Sequence, residues 1–411
     1  MSQASRSRQI VIAGGGIAGL TAALAFAARG FPVRLFERAD RLQEVGAGLQ
    51  LSPNATRLLA RLDVLAHLRP VAVAPEAVVL RRASSLAEIA RVPLGEAAEA
   101  RWGAPYLVVH RADLHGALAA RVAREPDIAV TTGATVRDAA FHPMGLTASI
   151  DVGGKIREVG GLLLVGADGV WSALRPRLGG VDESRFTGRI AWRTTLRADD
   201  PAMLALGGAI GRSVVTTFLH PQAHLVAYPV RSGAAINLVA ITHGTSPGEG
   251  WSAGLSSGPL LAALDGAAKP LLDLVRDAGK WTAWPLHTVD PHGAWIQAAG
   301  SALIGDAAHA MTPFAAQGAA AAIEDAYVLA ATVSASPDDL AGALARYDRI
   351  RRPRILRAAR RAAFNQFAWH AAGPVALVRD AVLRRRSGAS LAADLDWLYG
   401  WDADQALRAT A

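Results

Sequence analysis

Two residues of the stretch "HLVAYP", His224 and Tyr228, stand four apart. In an extended strand that spacing puts both side chains on one face. A histidine titrates near neutrality and can take a proton from a bound hydroxyl, while the tyrosine can orient a ring or relay that proton. Equally, His224 can be a satisfied core histidine and Tyr228 a packing residue. A second stretch, "LIGDAAHAMTPFAAQG" from Leu303 to Gly318, sets Asp306 three residues before His309 in a run of Ala and Gly. The two can be metal ligands, which needs a third ligand and a common face. "HRADLH", His110 to His115, offers His and Asp, but its spacing also fits a helix start capped by Asp113. Alternatively, Asp306 accepts from a hydroxyl of a ligand too bulky to admit large side chains. The expectation is that no metal is bound.

The elements that must position these residues begin at Gln9, with "QIVIAGGGIAGLTAALAFAARGFPVRLFERAD". A β-rich apolar run meets Gly14-x-Gly16-x-x-Gly19, then a helical run, then a second strand ending at Glu37. Gly14 makes the tight turn, Gly16 admits a pyrophosphate, and Gly19 lets helix pack on strand. The helix N-terminus offers unpaired N–H groups to phosphates. Glu37 stands where a carboxylate accepts from adenosine ribose hydroxyls. This is a dinucleotide site, and these residues alone leave NAD and FAD open.

Two later strands end in the same way. "GLLLVGADGVWSALRPRLG" from Gly161 stops at Asp168, which can be a ligand contact or merely a helix cap. The third is the turn at Gly305 and Asp306. Strand ends gathered at one carboxyl edge, far apart in sequence, point to a long ligand and so to FAD. Asp306 can then accept from a ribityl hydroxyl. The helix starting near Gln317 aims its positive end at the flavin N1–C2 edge.

Composition bounds the rest. At 411 residues, 51% hydrophobic and 19% charged, the chain is globular with room for two or three structural units. Without cysteine it has no disulfide, thiol nucleophile or Cys-ligated metal. The net charge is +8, and only three of the 43 basic residues are lysine. "RIRRPRILRAARR", from Arg349 to Arg361, reads as a solvated, Arg-rich helix face, and no nucleic-acid partner is expected. No run of about 18 apolar residues predicts a membrane span. The expected location is cytoplasmic.

As a set, these motifs resemble the flavin-dependent (group A) aromatic monooxygenases with the p-hydroxybenzoate hydroxylase fold, nearest the salicylate and 3-hydroxybenzoate hydroxylase branch. "EVGAGLQLSPNATRLL" from Glu44, "HRADLH", "GADG" from Gly166, "GDAAH" from Gly305, "AQGAAAAIEDA" from Ala316 and "WLYGWD" from Trp397 carry the resemblance in order. It implies an α/β fold: a Rossmann-like (GR2-type) FAD-binding domain in segments 1–74, 107–181 and 293–335. A β-rich substrate domain occupies 75–106 and 182–292, the latter alternating like antiparallel strands, and a helical region occupies 336–411.

The resemblance also implies roles. Gly14, Gly16, Ala18 and Gly19 would face the pyrophosphate; Glu37 and Arg38 the adenosine; Arg111 the ribityl–pyrophosphate region. Gly305 and Asp306 would hold ribityl oxygen, Gln317 and Gly318 would lie near the ring, and Asp168 would support the cofactor. Gln50 joins this set; some relatives carry a catalytic histidine there. His309-Ala310 replaces the His-Pro often found in the family. The implied reaction uses non-covalent FAD, NADH or NADPH, and O2. It hydroxylates a small phenolic acid (salicylate- or 3-hydroxybenzoate-like) through a C4a-hydroperoxyflavin, with His224 and Tyr228 as the catalytic pair. Alternatives are an N-heteroaromatic substrate (hydroxynicotinate- or urate-like) or a non-oxygenating FAD-dependent reductase. The Trp-x-Trp-x-Ile-Pro signature of flavin halogenases is absent. Arg193 and Arg212 are candidates for a substrate carboxylate, each more readily read as a surface or structural arginine. The expected assembly is a monomer or homodimer.

Overall fold

A computed structural model describes residues 8–42, 48–178, 184–206, 208–245 and 252–410. Part of one quoted motif, Glu44 to Ala47, lies outside the described residues. Strand β1 (Ile10–Ala13) is buried along its whole length. It pairs in parallel with β2 (Val33–Phe36) on one side and β11 (Leu163–Gly166) on the other. Strands β7 (Ile128–Thr131) and β19 (Ser301–Leu303) extend the parallel sheet, and β18 (Ile296–Gln297) closes one edge antiparallel. Strands covered on both faces read as unbroken apolar runs, which is why "IVIA" and "LLLV" show no alternation. The helices Ile17–Ala27 and Gly318–Ala335 are apolar around most of their circumference and pack on each other.

Register brings the three Gly/Asp turns together. Ala13 pairs with Gly166, and Gly166 with Leu303. The ladder runs on past the strands: Ala167 N–H donates to Ala13 O at 2.8 Å, and Ile304 N–H to Gly166 O at 3.0 Å. Gly14, Asp168 and Asp306 therefore leave the same edge of one sheet side by side.

A second sheet has eight strands in the order β16 (Ser252–Leu255), β17 (Trp281–Thr288), β12 (Arg185–Arg197), β15 (Ala235–His243), β14 (Ala223–Val230), β13 (Val214–Leu219), β4 (Ala77–Arg82) and β5 (Glu88–Pro93). Only β13 and β4 pair in parallel. One face, with Leu225, Ala227 and Leu238, packs on the helices Gly258–Ala263 and Lys269–Asp277. The other face presents His224, Val226 and Tyr228 to a cavity. Strands β3 (Gly48–Leu51) and β6 (Leu107–His110) form a separate ribbon, and β8 (Ala134–His142), β9 (Gly145–Val152) and β10 (Lys155–Gly161) a meander. Among the described residues no helix is long and apolar enough to cross a membrane.

The arginine-rich stretch departs in part from its expected solvated face: Arg349, Arg357 and Arg360 are exposed, but Arg351 and Arg354 are buried. It lies in the helix Leu340–Trp369, where Arg351 is fully buried between Glu324 (2.5 Å) and Asp325 (2.8 Å). Arg354 binds both oxygens of Glu324 at 2.7 Å. The reason is the facing helix, Gly318–Ala335. Its Glu324 and Asp325 point into the core, and buried carboxylates require paired cations.

Candidate active site

The carboxyl edge of the parallel sheet opens on a cleft of about 300 Å³ floored by the glycine turn. Gly14 has φ +106°, and a Cβ there would lie 2.4 Å from Ala167 O. A Cβ on Gly19 would lie 1.9 Å from Gly14 O, so only glycine lets helix and turn approach this closely. Glu37 is fixed by two backbone donors: Gly15 N–H at 2.6 Å and Ala39 N–H at 2.8 Å. It lines the cleft beside Arg38, Ala18 and Arg111.

Asp168 closes a turn and caps no α-helix: among the described residues only a short 3-10 helix, Pro176–Leu178, follows it. One carboxylate oxygen accepts from Ala173 N–H (2.9 Å) and Leu174 N–H (3.2 Å). The other is buried without a hydrogen-bond partner. Asp306, at the turn with Gly305 (φ +60°), makes no side-chain hydrogen bond among the described residues. Both carboxylates and Gly318 line this cleft and a larger cavity beyond it. Free acceptors, glycine-floored space and nearby arginines fit a ligand that has phosphates at one end and hydroxyls in the middle.

The larger cavity, about 680 Å³, lies over the open face of the eight-stranded sheet. That volume is typical of a small-molecule site. His224 and Tyr228 both line it, as their spacing predicts. His224 is buried, with Nδ1 3.0 Å from His370 Nε2 and its ring centroid 5.0 Å from those of Phe314 and Trp369. Burial, then His370 and Arg189, hold its pKa well below the usual imidazole value, so the ring is neutral. Burial pushes the Tyr228 hydroxyl up, so it keeps its proton. A Cβ on Gly48 would lie 2.5 Å from the Tyr228 ring, which shows how closely β3 crosses this strand. Gln50, on β3, lines the larger cavity, not the pyrophosphate end, and accepts from the Tyr106 hydroxyl.

Arg193 and Arg212 part company. Arg212 donates to Ala198 O at 3.0 Å and plays a structural part. Arg193 pairs with Val239 of β15, which pairs with Val226 of β14. It therefore sits two strands from Val226, level with the midpoint between His224 and Tyr228. It is half-buried, lines the cavity and lies 5.7 Å from the Trp284 ring. Its Nε is buried without a partner, and among the described residues the side chain makes no ion pair or hydrogen bond. Desolvation lowers its pKa.

One expectation needs correction. The Gln317 side chain does not face the cavity. It is buried and bonded to Ser52 Oγ (3.0 Å) and Asn54 (3.3 Å), because the helix it caps needs those polar groups satisfied inside the core. His309, considered beside Asp306 as a possible metal ligand, has its Nε2 2.6 Å from buried Asp325. Among the described residues no group of His, Asp or Glu is placed to hold a metal ion. His370, Phe314, Trp369 and Trp284 are additions that sequence spacing did not suggest.

The pattern of the FAD binding domain family matches residues 7–362. The chain is 35% identical over 409 residues to 3-amino-4-hydroxybenzoate 2-monooxygenase PtmB3 of Streptomyces platensis, covering 98% of each. It is 32% identical over 416 residues to 3-hydroxybenzoate 6-hydroxylase of Polaromonas naphthalenivorans, covering 99% of each. A salicylate hydroxylase substrate complex shares the fold, with TM-score 0.82 at 24% identity over 98% of each chain. Fold and site thus define a flavoprotein monooxygenase. The chain belongs to the FAD binding domain family and is an FAD-dependent aromatic monooxygenase.

Proposed function

We propose that this enzyme hydroxylates a small aromatic acid bearing a ring hydroxyl, salicylate- or 3-hydroxybenzoate-like, with NAD(P)H as reductant and O2 as oxidant. The observation that carries the reading is Arg193, a desolvated guanidinium with no counter-charge among the described residues, on the same cavity face as His224 and Tyr228. A cation so placed costs free energy until an anion meets it, and a carboxylate is the matching planar acceptor. The substrates named for the two relatives above are both hydroxybenzoates, which supports the same class.

Bound FAD supplies the activation of O2 and the transfer of one oxygen atom to the ring. The residues of this chain do the rest. Gly14, Gly16, Ala18 and Gly19 make room for the pyrophosphate, Glu37 and Arg38 take the adenosine, and Arg111, Asp168, Gly305 and Asp306 hold the ribityl portion. Gly318 and Gln50 border the ring. Arg193 anchors the carboxylate while His224 and Tyr228 bind and orient the ring hydroxyl, whose ionisation makes the ring electron-rich. In this reading segments 1–74, 107–181 and 293–335 build the FAD unit, and 75–106 with 182–292 the substrate unit. A cytoplasmic location, where NAD(P)H is supplied, and a monomer or homodimer complete it.

The test is turnover by the purified holoenzyme across hydroxybenzoic, aminohydroxybenzoic and hydroxynicotinic acids and their amides. Expected are O2 uptake and a hydroxylated product with one of the acids. NAD(P)H oxidation without oxygen incorporation into any of them would show a reductase instead.

A further inference from the structure

We propose that His370 is a positioning residue: bonded to Arg189 on one side and His224 on the other, it fixes the tautomer of His224 so that Nε2–H is offered to the substrate's ring oxygen. The inference rests on the reading that this cavity holds a hydroxylated aromatic acid.

The chain of donors follows from what each group can do. Arg189 NH1 lies 3.3 Å from His370 Nδ1, and a guanidinium only donates. His370 Nδ1 must therefore accept, and the neutral ring carries its proton on Nε2. That Nε2 is 3.0 Å from His224 Nδ1, so it donates there. His224 Nδ1 accepts, and its own proton sits on Nε2, the nitrogen left for a ligand. Burial, with Arg189 next in weight, holds His370 at a pKa of about 4, so the neutral form prevails at neutral pH. His370 caps the helix Leu340–Trp369, with its backbone N–H bonded to Gln366 O at 3.2 Å. Phe314 and Trp369 wall the His224 ring, each with its centroid 5.0 Å away, and the two imidazoles are tilted by 40° to one another.

The part this assigns to His224 differs from that of a proton acceptor. The substrate O–H bond breaks with its electron pair staying on oxygen and its proton passing to water. The resulting anion accepts from His224 Nε2–H, in reach of the positive field of Arg193. The residue thus acts as an oxyanion donor, prepared before the substrate arrives.

Long-range 1H–15N correlation on the 15N-histidine-labelled holoenzyme, without substrate, reads the tautomer directly. Expected is a protonated Nε2 and an accepting Nδ1 for His224. His370→Leu should scramble that signature and lower the yield of product per NAD(P)H, with 3-hydroxybenzoate as probe, by about tenfold or more. His370→Gln, whose amide can still donate, should restore both. A His224 proton on Nδ1 in the wild type, or a His370→Leu variant with unchanged tautomer and yield, overturns the proposal. If the leucine variant fails to fold, the wild-type tautomer and the glutamine variant still decide. The tautomer is read without turnover, so its failure is distinct from failure of the probe acid to react.

Discussion

Asp325, inside the helix Gly318–Ala335, accepts a 2.9 Å hydrogen bond from the backbone N–H of Gly305, the residue before Asp306. The same carboxylate oxygen takes His309 at 2.6 Å, and the other takes Arg351 at 2.8 Å. The turn that presents Asp306 is thereby tied to the long C-terminal helix through a fully buried ion network. The cofactor edge is held from behind by charge.

Arg351→Met leaves the buried carboxylates of Glu324 and Asp325 short of a counter-ion. Breaking such a pair typically costs about 3–5 kcal/mol. Urea unfolding of the variant should show a loss of that size, with weaker FAD retention. A loss below about 1 kcal/mol would mean the network relaxes without Arg351.

Acid should act on the same network. Burial alone would raise the Asp325 carboxyl, but His309 and Arg351 outweigh it and hold it at about 2, against an ordinary 3.8. Glu324 is lowered in the same sense, burial being outweighed by Arg354 and Arg351. A depressed folded pKa gives stability that is present above the ordinary value and is lost as pH falls through the folded one. Unfolding free energy should therefore drop as pH goes from about 4 towards about 2. Asp325→Asn should flatten that slope; an equal slope in both proteins would place the titrating groups elsewhere.

For Glu37, exchange to Gln removes the charge behind its bonds to Gly15 N–H and Ala39 N–H and behind the bonds proposed to the ribose hydroxyls. Hydrogen bonds to a charged group contribute roughly 1.5–3 kcal/mol, so FAD affinity should fall by about one to two decades. Asp306→Ala should lower FAD occupancy with the fold intact, since that side chain makes no bond within the described protein. Fluorescence titration of the apoprotein with FAD measures both; unchanged dissociation constants would remove these residues from the cofactor site.

What could be read in advance was local. The three Gly/Asp turns each announced themselves within a few residues, and strand register only had to set them side by side. His224 and Tyr228 followed from a period of two along one strand. What remained hidden depends on partners distant in sequence. His370 comes from a helix end 146 residues from His224, and no spacing rule joins them. Arg351 and Arg354 look like surface residues until Glu324 and Asp325 are seen facing them in the core. Gln317 sits beside a cavity-lining glycine but turns inward to Ser52 and Asn54. Arg193 gained its meaning from what surrounds it: a cavity wall and, among the described residues, no carboxylate partner.

Loss of the His224 ring should spare flavin binding and reduction while product formation falls by about 10²-fold or more, the usual cost of removing a catalytic donor or base. In His224→Ala, NAD(P)H should be spent on H2O2 in place of product. Product and peroxide measured in one reaction give the ratio; full coupling at the wild-type rate would reduce His224 to a packing residue.

The anion site is tested most directly by binding, without turnover. Wild-type and Arg193→Gln holoenzymes are titrated with 3-hydroxybenzoate and 3-hydroxybenzamide, following the flavin absorbance. The two ligands match in size and differ in charge. The wild type should bind the acid about one to two decades more tightly than the amide, the worth of a charge-assisted contact. Arg193→Gln should lose that preference while holding the amide as before. An acid preference that survives intact in Arg193→Gln would contradict the assignment of Arg193 as the substrate's carboxylate anchor.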